Sequence, residues 1–277
     1  MRNLLRANFY RLGRDRTFRM CAAAVLALSV VFMLGGCREA VQKAADYGAV
    51  TELDGLYFQI VPTIGIFISI LACLFLGVEY GEGTVRNKLS MGHTRRDVYL
   101  ANFLTVAAAS LILQLMWMAG ACVGIPFLGT WTLRPDALAL LFLMVAGTSV
   151  AMAAIFTCIE MLHTGRSSSI VTLLSYFAML FAASAVYNIL SEPEFYAGTI
   201  VTVEGVQVVE PEPNPLYVTG ALRAFYEFVM DFLPTGQIAR IQNMDMGHPL
   251  RMFLSSVLIT ASVTLGGAKL FARTDLK

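Results

Sequence analysis

The chain has 277 residues, of which 57% are hydrophobic and only 14% are charged, with 20 Lys and Arg against 19 Asp and Glu. Soluble domains carry about a quarter charged residues, so this composition excludes an ordinary soluble protein and indicates a membrane protein. The 5 cysteines show no paired CxxC spacing, which favours packing roles over a disulfide or metal framework.

Six apolar segments are long enough to cross a bilayer as helices, since one span takes about 20 residues. They predict an all-α integral membrane protein with a single transmembrane domain over residues 1–277. We place the spans near residues 20–36, 58–78, 98–124, 137–162, 168–190 and 252–272.

Polar side chains lie within or at the ends of these spans. They would line a substrate path or form hydrogen bonds between helices, and the second role is favoured. These residues are Gln59, Asn102, Gln114 and Asn188.

Basic residues are distributed unevenly around these spans. If residues 1–19, 79–97, 160–167 and 269–277 share one side, that side holds 14 of the 20 Lys and Arg and six of the 19 acids. The two sides then carry net charges of +8 and −7. Positively charged loops stay in the cytoplasm, so we expect both termini to be cytoplasmic and the chain to cross the membrane several times.

The N-terminal residues 1–18 predict an amphipathic helix on the cytoplasmic leaflet. Leu5, Phe9 and Leu12 share one face of this helix, and arginines surround it. A competing interpretation concerns Leu34 to Cys37, which resembles a lipobox; cleavage there would remove the first span. Whether Cys37 is modified stays open at this point.

Residues 191–251 are the one sizeable segment between spans, and we expect them outside the cell. Valines alternate with polar residues around Glu204 and Gly205, which predicts a small hairpin. An amphipathic helix should follow and end before Pro234. Its apolar residues recur at helical spacing and are Val218, Leu222, Phe225, Val229 and Phe232.

Motifs for catalysis are missing from the sequence. It contains no GxxxxGK[ST] phosphate-binding loop and no HExxH, while Glu160 and His163 supply only half of a carboxylate metal site. Ser149 has no histidine or lysine within the spans to act as its base. We therefore expect no enzyme, no metal and no cofactor in this chain. Because the spans hold no ionisable group at mid-membrane, the energy for any transport should come from another subunit.

A charged stretch from Glu79 to Tyr99 separates the second and third spans, and we call it the island. It reads EYGEGTVRNKLSMGHTRRDVY and is too polar to lie in lipid. It resembles the second-span junction of bacterial ABC type-2 permeases, in which a glutamate, a Gly-Thr pair, a basic residue and a leucine precede a glycine and an arginine. The basic tail from Lys269 to Lys277 agrees with this family.

The resemblance implies the membrane subunit of an ABC exporter. Its partners would be a second permease, either a copy of this chain or a related one, a separate ATP-binding subunit that carries ATP and Mg²⁺, and membrane lipid, with no nucleic acid. The first, second and fifth spans would form the dimer face and the substrate path. Residues 79–97 would be the ATPase-coupling loop, and the residues expected to act there are Glu79, Glu82, Gly83, Thr84, Arg86, Asn87, Lys88, Gly92, Arg95 and Arg96.

Within the island we expect a short helix near residues 83–90 that docks into a cleft of the ATPase. Arg86 and Lys88 would face acidic groups of the ATPase. Glu79 and Glu82 would pair with Arg95 or Arg96 and stiffen the junction. The alternative is a non-transporting scaffold or sensor subunit whose cytoplasmic loop recruits a partner.

Overall fold

The computed structural model describes residues 1–48, 51–59, 61–128, 132–163, 168–196, 199–202, 205–208 and 211–274. These residues are predominantly helical, as expected. A 3₁₀ turn spans Cys122–Gly124, and the strands are β1 (Thr199–Thr202) and β2 (Gly205–Val208). The helices are α1 (Arg2–Arg14), α2 (Arg16–Tyr47), α3 (Leu53–Phe58), α4 (Val61–Gly81), α5 (Thr84–Ser90), α6 (Arg95–Ala121), α7 (Ile125–Leu128), α8 (Pro135–Leu162), α9 (Ser168–Ser191), α10 (Gly220–Phe232), α11 (Pro234–Gln242) and α12 (Pro249–Arg273).

Six helical stretches in the described part of the chain are long and apolar enough to cross a membrane. They coincide with the six predicted spans and confirm a multi-pass membrane protein. The first is longer than the predicted 20–36, because α2 continues through a polar segment to Tyr47. Cys37 lies within α2 and is buried, so the lipobox-like residues are part of a continuous helix.

Helix α8 lies at the centre of the bundle. It packs against α4, α6, α9, α11 and α12. Ala151, Ala153 and Ala154 on α8 are fully buried, and small residues of this kind let neighbouring helices approach closely in membranes. Four of the other spans (α4, α6, α9 and α12) are therefore arranged around α8, while the first span, α2, packs against α6 and α4.

Helix α1 forms as predicted but packs through a different face. Leu4, Asn8 and Leu12 are buried, whereas Phe9 is 43% exposed. α1 packs against α6, where buried Asn8 finds hydrogen-bond partners. A basic helix can thus bury a polar residue when a protein partner satisfies it. The position of Leu5, Phe9 and Leu12 against the cytoplasmic leaflet stays a prediction.

The segment between α9 and α12 contains the predicted hairpin and amphipathic helix. β1 and β2 pair antiparallel, with Thr202 opposite Gly205, so the fold is not purely helical. α10 ends at Phe232, as expected from Pro234. Helix α11, which Pro234 begins and whose residues are almost all buried, was not predicted.

Contacts among the described residues bring the basic segments to one end of the bundle. The hydroxyl of Tyr80 donates to the carbonyl of Met161 at 2.7 Å, and Arg95 donates to the carbonyl of Thr274. α1 joins the same end through α6. The four segments that the charge count assigned to one side therefore lie together, as far as the structure describes them.

Candidate functional site

The island folds as a helix between two glycine turns. α4 ends at Gly81, and Gly83 and Gly92 have φ angles of 67° and 88°, in the left-handed region that favours glycine. Between them lies α5, which confirms the predicted short helix. Thr94 then caps α6 by accepting a hydrogen bond from the backbone N–H of Asp97 at 3.1 Å.

One face of α5 is buried against the bundle. Val85 and Lys88 lie three residues apart and are both buried, so they share this face. Beneath them is Glu79, near the end of α4, whose side chain is completely inaccessible to solvent. The island thus encloses a buried carboxylate.

Glu79 binds side chains from three other helices. Its Oε1 forms salt bridges with Arg11 of α1 and Lys88 of α5, and its Oε2 accepts a hydrogen bond of 2.8 Å from Asn102 of α6. Asn8 completes the group: it donates to Asn102 Oδ1 at 2.8 Å and accepts from Lys88 Nζ at 3.1 Å. We call these five residues the junction cluster.

The electrostatics of the junction cluster hold it together. A buried ion costs several kcal/mol unless it is paired and hydrogen-bonded, and Glu79 here has two cations and an amide around it. Arg11 is further fixed over the ring of Phe75, with its guanidinium carbon 4.0 Å from the ring centroid. The cluster therefore fixes α1, α4, α5 and α6 to one another.

The structure places some predicted coupling residues differently from the sequence-based expectation. Glu79 pairs with Arg11 and Lys88, not with Arg95 or Arg96. Lys88 points into the protein and does not face solvent. A single sequence contains no information about which distant arginine will reach a buried carboxylate, and α1 brings Arg11 to it.

The opposite face of α5 and its flanking turns is exposed to solvent. Met91 at the end of α5 is 70% exposed. Two exposed cations and one exposed acid lie in the same short stretch of the chain. We call this surface the outer face, and its residues are Glu82, Arg86, Asn87, Met91 and Arg96.

The island is also tied to the rest of the bundle. Tyr80 links α4 to the end of α8, and Arg95 links α6 to the residue after α12. Tyr99, the last island residue, is buried with its ring centroid 6.1 Å from that of Phe271 on α12. Through these three residues the island contacts α8, α12 and the residue after α12.

Sequence reasoning missed Asn8 and Arg11 as members of this site. The signal was present in α1, where Leu4, Asn8 and Leu12 recur every four residues and define one face. Asn102 had been expected to bond between helices, and its contacts with Asn8 and Glu79 confirm that expectation.

Comparison with known proteins does not assign the chain to a family. No protein-family model matches the chain, and no curated protein matches it. Among the described residues, no group of three or more His, Cys, Asp and Glu side chains could hold a metal ion. The island combines an exposed outer face with a buried charge cluster that links α5 to α1, α4 and α6.

Proposed function

We propose that this chain is the membrane-spanning permease subunit of an ATP-driven ABC exporter of the type-2 family. A separate ATP-binding subunit docks on the outer face and carries ATP and Mg²⁺. The subunit lies in the bacterial plasma membrane with both termini in the cytoplasm, next to a second permease copy. ATP binding and hydrolysis on the partner then drive the spans between inward-open and outward-open arrangements.

One observation carries this proposal: α5 has an exposed outer face and a buried face locked to three other helices by Glu79. A motor outside the membrane can move spans only through a cytoplasmic element rigidly joined to them. α5 is joined in this way because Lys88 and Glu79 form a salt bridge within the protein. The amino-acid sequence of the island, which resembles that of type-2 permeases, supports the same role.

The structure changes which residues would meet the ATPase. Lys88 belongs to the junction cluster, so the contact would be made by Arg86 and Met91, with Glu82 and Arg96 beside them. An exposed apolar side chain surrounded by charges is typical of an interface in which a central anchor fills a pocket and the rim is polar. Arg86 would pair with acidic groups of the partner.

The test uses the full-length chain purified in mild detergent with its ATPase, which is identified by its phosphate-binding loop. We expect bound ATPase and a change in hydrogen exchange of α4 and α6 when Mg-ATP is added. The double variant Arg86→Glu with Met91→Asp should retain about a tenth or less of the bound ATPase, since loss of a central interface residue costs about 2 kcal/mol or more. Arg134→Glu, the same charge reversal at an exposed residue, should bind as the wild type does.

Two results would count against the proposal. Unchanged binding by the Arg86→Glu, Met91→Asp variant would remove the outer face as the docking surface. Purification without any ATPase, together with hydrogen exchange that does not respond to Mg-ATP, would favour the alternative of a scaffold or sensor subunit.

A further inference from the structure

Helix α1 has two faces of opposite character. Its inner face, with Leu4, Asn8 and Leu12, is buried against α6. The opposite face also repeats every four residues, and Phe9 lies beside that repeat. We call this second surface the arginine face, and its residues, all of them exposed, are Arg2, Arg6, Phe9, Tyr10 and Arg14.

The arginine face carries positive charge that no acid balances. Helix α1 contains no Asp or Glu. Arg2, Arg6 and Arg14 form no salt bridge with any described acid. The remaining arginine of the helix, Arg11, points inward and pairs with Glu79. Three unpaired guanidinium groups on one side of a short helix favour an anionic partner.

The inner contacts of α1 place it beside the ends of the spans and not beyond them in water. Asn8 bonds to Asn102, seven residues into α6, and Arg11 lies over Phe75, six residues before the end of α4. At 1.5 Å per residue, both contacts lie about 10 Å inside the helix ends. Asp15 alone separates α1 from α2, the first span. Helix α1 is therefore held at the level of the lipid headgroups.

Aromatic side chains on the arginine face favour a lipid over a soluble anion. Tyr10 is 61% exposed, and Phe9 beside it is exposed as well. Arg14 lies over the Tyr10 ring, with its guanidinium carbon 4.4 Å from the ring centroid. Amphipathic rings concentrate at the boundary between headgroups and acyl chains. A phospholipid offers both an anionic group for the arginines and an apolar environment for the rings, whereas a soluble anion offers only the first.

We propose that the arginine face binds anionic phospholipids of the surrounding leaflet, with their phosphate groups on Arg2, Arg6 and Arg14. Arginine presents several N–H donors in a planar fork that matches phosphate oxygens. Bound lipid then holds α1 from outside, while Asn8 and Arg11 hold it to the junction cluster from inside. Anionic lipid therefore regulates how firmly the cluster holds α5.

The first measurement uses the full-length chain in nanodiscs without an ATPase, so its outcome does not depend on docking at the outer face. Tyr10→Trp places a fluorophore on the arginine face. Brominated lipid quenches it in two equimolar mixtures of phosphatidylglycerol and phosphatidylcholine, which carry bromine on the first or on the second lipid. The chain has 2 native tryptophans, and the signal of the unsubstituted chain is subtracted to remove their contribution.

We expect stronger quenching when phosphatidylglycerol carries the bromine. The difference should correspond to about a fivefold enrichment of this lipid beside residue 10, because one arginine near a membrane surface changes the partition of an anionic group by about that factor. Equal quenching in the two mixtures would overturn the proposal.

Variants locate the lipid. Adding Arg2→Gln and Arg6→Gln to Tyr10→Trp should reduce the enrichment to about twofold or less. The matched control adds Arg38→Gln and Arg134→Gln, which remove the same charge from exposed positions outside α1, and it should keep the full enrichment. Full enrichment in the variant that lacks Arg2 and Arg6 would show attraction by the overall charge of the protein and would overturn the arginine face as the site.

The link to the junction cluster is measured by hydrogen exchange. In the wild type, Thr84–Ser90 should exchange about threefold more slowly in the equimolar mixture than in phosphatidylcholine alone, because a ligand that binds the folded arrangement stabilises it. Arg11→Gln leaves the arginine face intact, so the enrichment should remain while the effect of lipid on α5 is lost. Enrichment with no effect on α5 in the wild type, or the same effect in Arg11→Gln, would overturn the regulatory part of the proposal.

Discussion

Asn102 of α6 donates a hydrogen bond of 2.8 Å to Glu79 of α4, on the carboxylate oxygen that the two salt bridges leave free. This contact makes Glu79 the common partner of three helices besides its own. The junction cluster consequently depends on one negative charge to hold two cations inside the protein. Loss of that charge should affect the protein more than loss of any single partner.

The first prediction concerns Glu79→Gln. This change leaves Lys88 buried without its counter-charge, so the free energy of unfolding should fall by about 3 kcal/mol. We take the lower end of the range for buried pairs because the Arg11 side chain is 31% exposed and can turn toward water. Reversible unfolding in mixed micelles, followed by circular dichroism, measures the difference.

Glu82→Gln is the matched control for that measurement. Glu82 lies three residues further along the chain and is exposed, so removal of its charge should change stability by no more than about 0.5 kcal/mol. If the two variants unfold alike, the junction cluster does not stabilise the island.

Another buried carboxylate is that of Asp231 on α10. It is fully buried and forms salt bridges with Arg240 and Arg251, while His248 Nδ1 lies 3.2 Å from its Oδ2. We predict that Asp231→Asn lowers the free energy of unfolding by about 3 kcal/mol, because buried Arg240 loses its buried counter-charge and keeps only Asp245, whose side chain is 55% exposed. The same unfolding experiment measures it.

Glu227→Gln separates this effect from a general sensitivity of α10. Glu227 lies on the same helix and pairs with Arg223, but both side chains are about a third exposed. Exposed pairs one turn apart contribute only about 0.3–0.5 kcal/mol. Equal losses in the two variants would show that α10 is fragile throughout and that Asp231 has no special role.

The six spans were predictable from sequence because each is a continuous apolar run, which local composition reports directly. The short helix α5 was predictable because Gly83 and Gly92 bracket it. Helix α11 was not predictable, because a proline such as Pro234 can follow the end of one helix or stand in the first turn of the next. Its polar Gln237 is buried because it donates to the carbonyls of Asp231 and Met252, and such distant partners leave no local pattern.

The candidate site was also predictable only in part. The charged residues of the outer face could be predicted because exposed charge in a short stretch is visible in the sequence. The inner face could not, because Lys88 looks like any other charged residue until Glu79 is placed beneath it. The contact of Asp54 with Thr132 was missed for a similar reason, because the two residues lie 78 positions apart in the sequence.

Orientation in the membrane gives the third prediction. The basic end of the bundle should face the cytoplasm, because positively charged segments are retained there. Single cysteines at the exposed positions Arg86 and Glu212 lie in segments assigned to opposite sides. A maleimide that cannot cross membranes should label Glu212→Cys in intact cells and Arg86→Cys only after the cells are permeabilised. The wild type, with its native cysteines, provides the background, and the reverse pattern of labelling would invert the proposed topology.

The fourth prediction uses two adjacent glycines on α12. A Cβ atom at Gly267 would collide with the hydroxyl of Tyr99 on α6 and lie 3.1 Å from Cys158 Sγ on α8, whereas a Cβ at Gly266 would meet nothing within 4 Å. Gly267→Ala should therefore destabilise the protein by about 1–3 kcal/mol through overpacking. Gly266→Ala should be neutral or stabilising by up to about 1 kcal/mol, because alanine favours the helix.

The Gly267 contact also bears on the island, since Tyr99 is its last residue and is fully buried. Tyr99 cannot move aside without shifting the start of α6, so hydrogen exchange at Arg95–Tyr99 should rise in Gly267→Ala and stay at the wild-type level in Gly266→Ala. Combining Gly267→Ala with Tyr99→Phe removes the nearest colliding atom and should recover part of the stability. If Gly267→Ala is as stable as Gly266→Ala, then α6 and α12 are not in close contact next to the island. Movement of α5 would then not reach the C-terminal span through Tyr99.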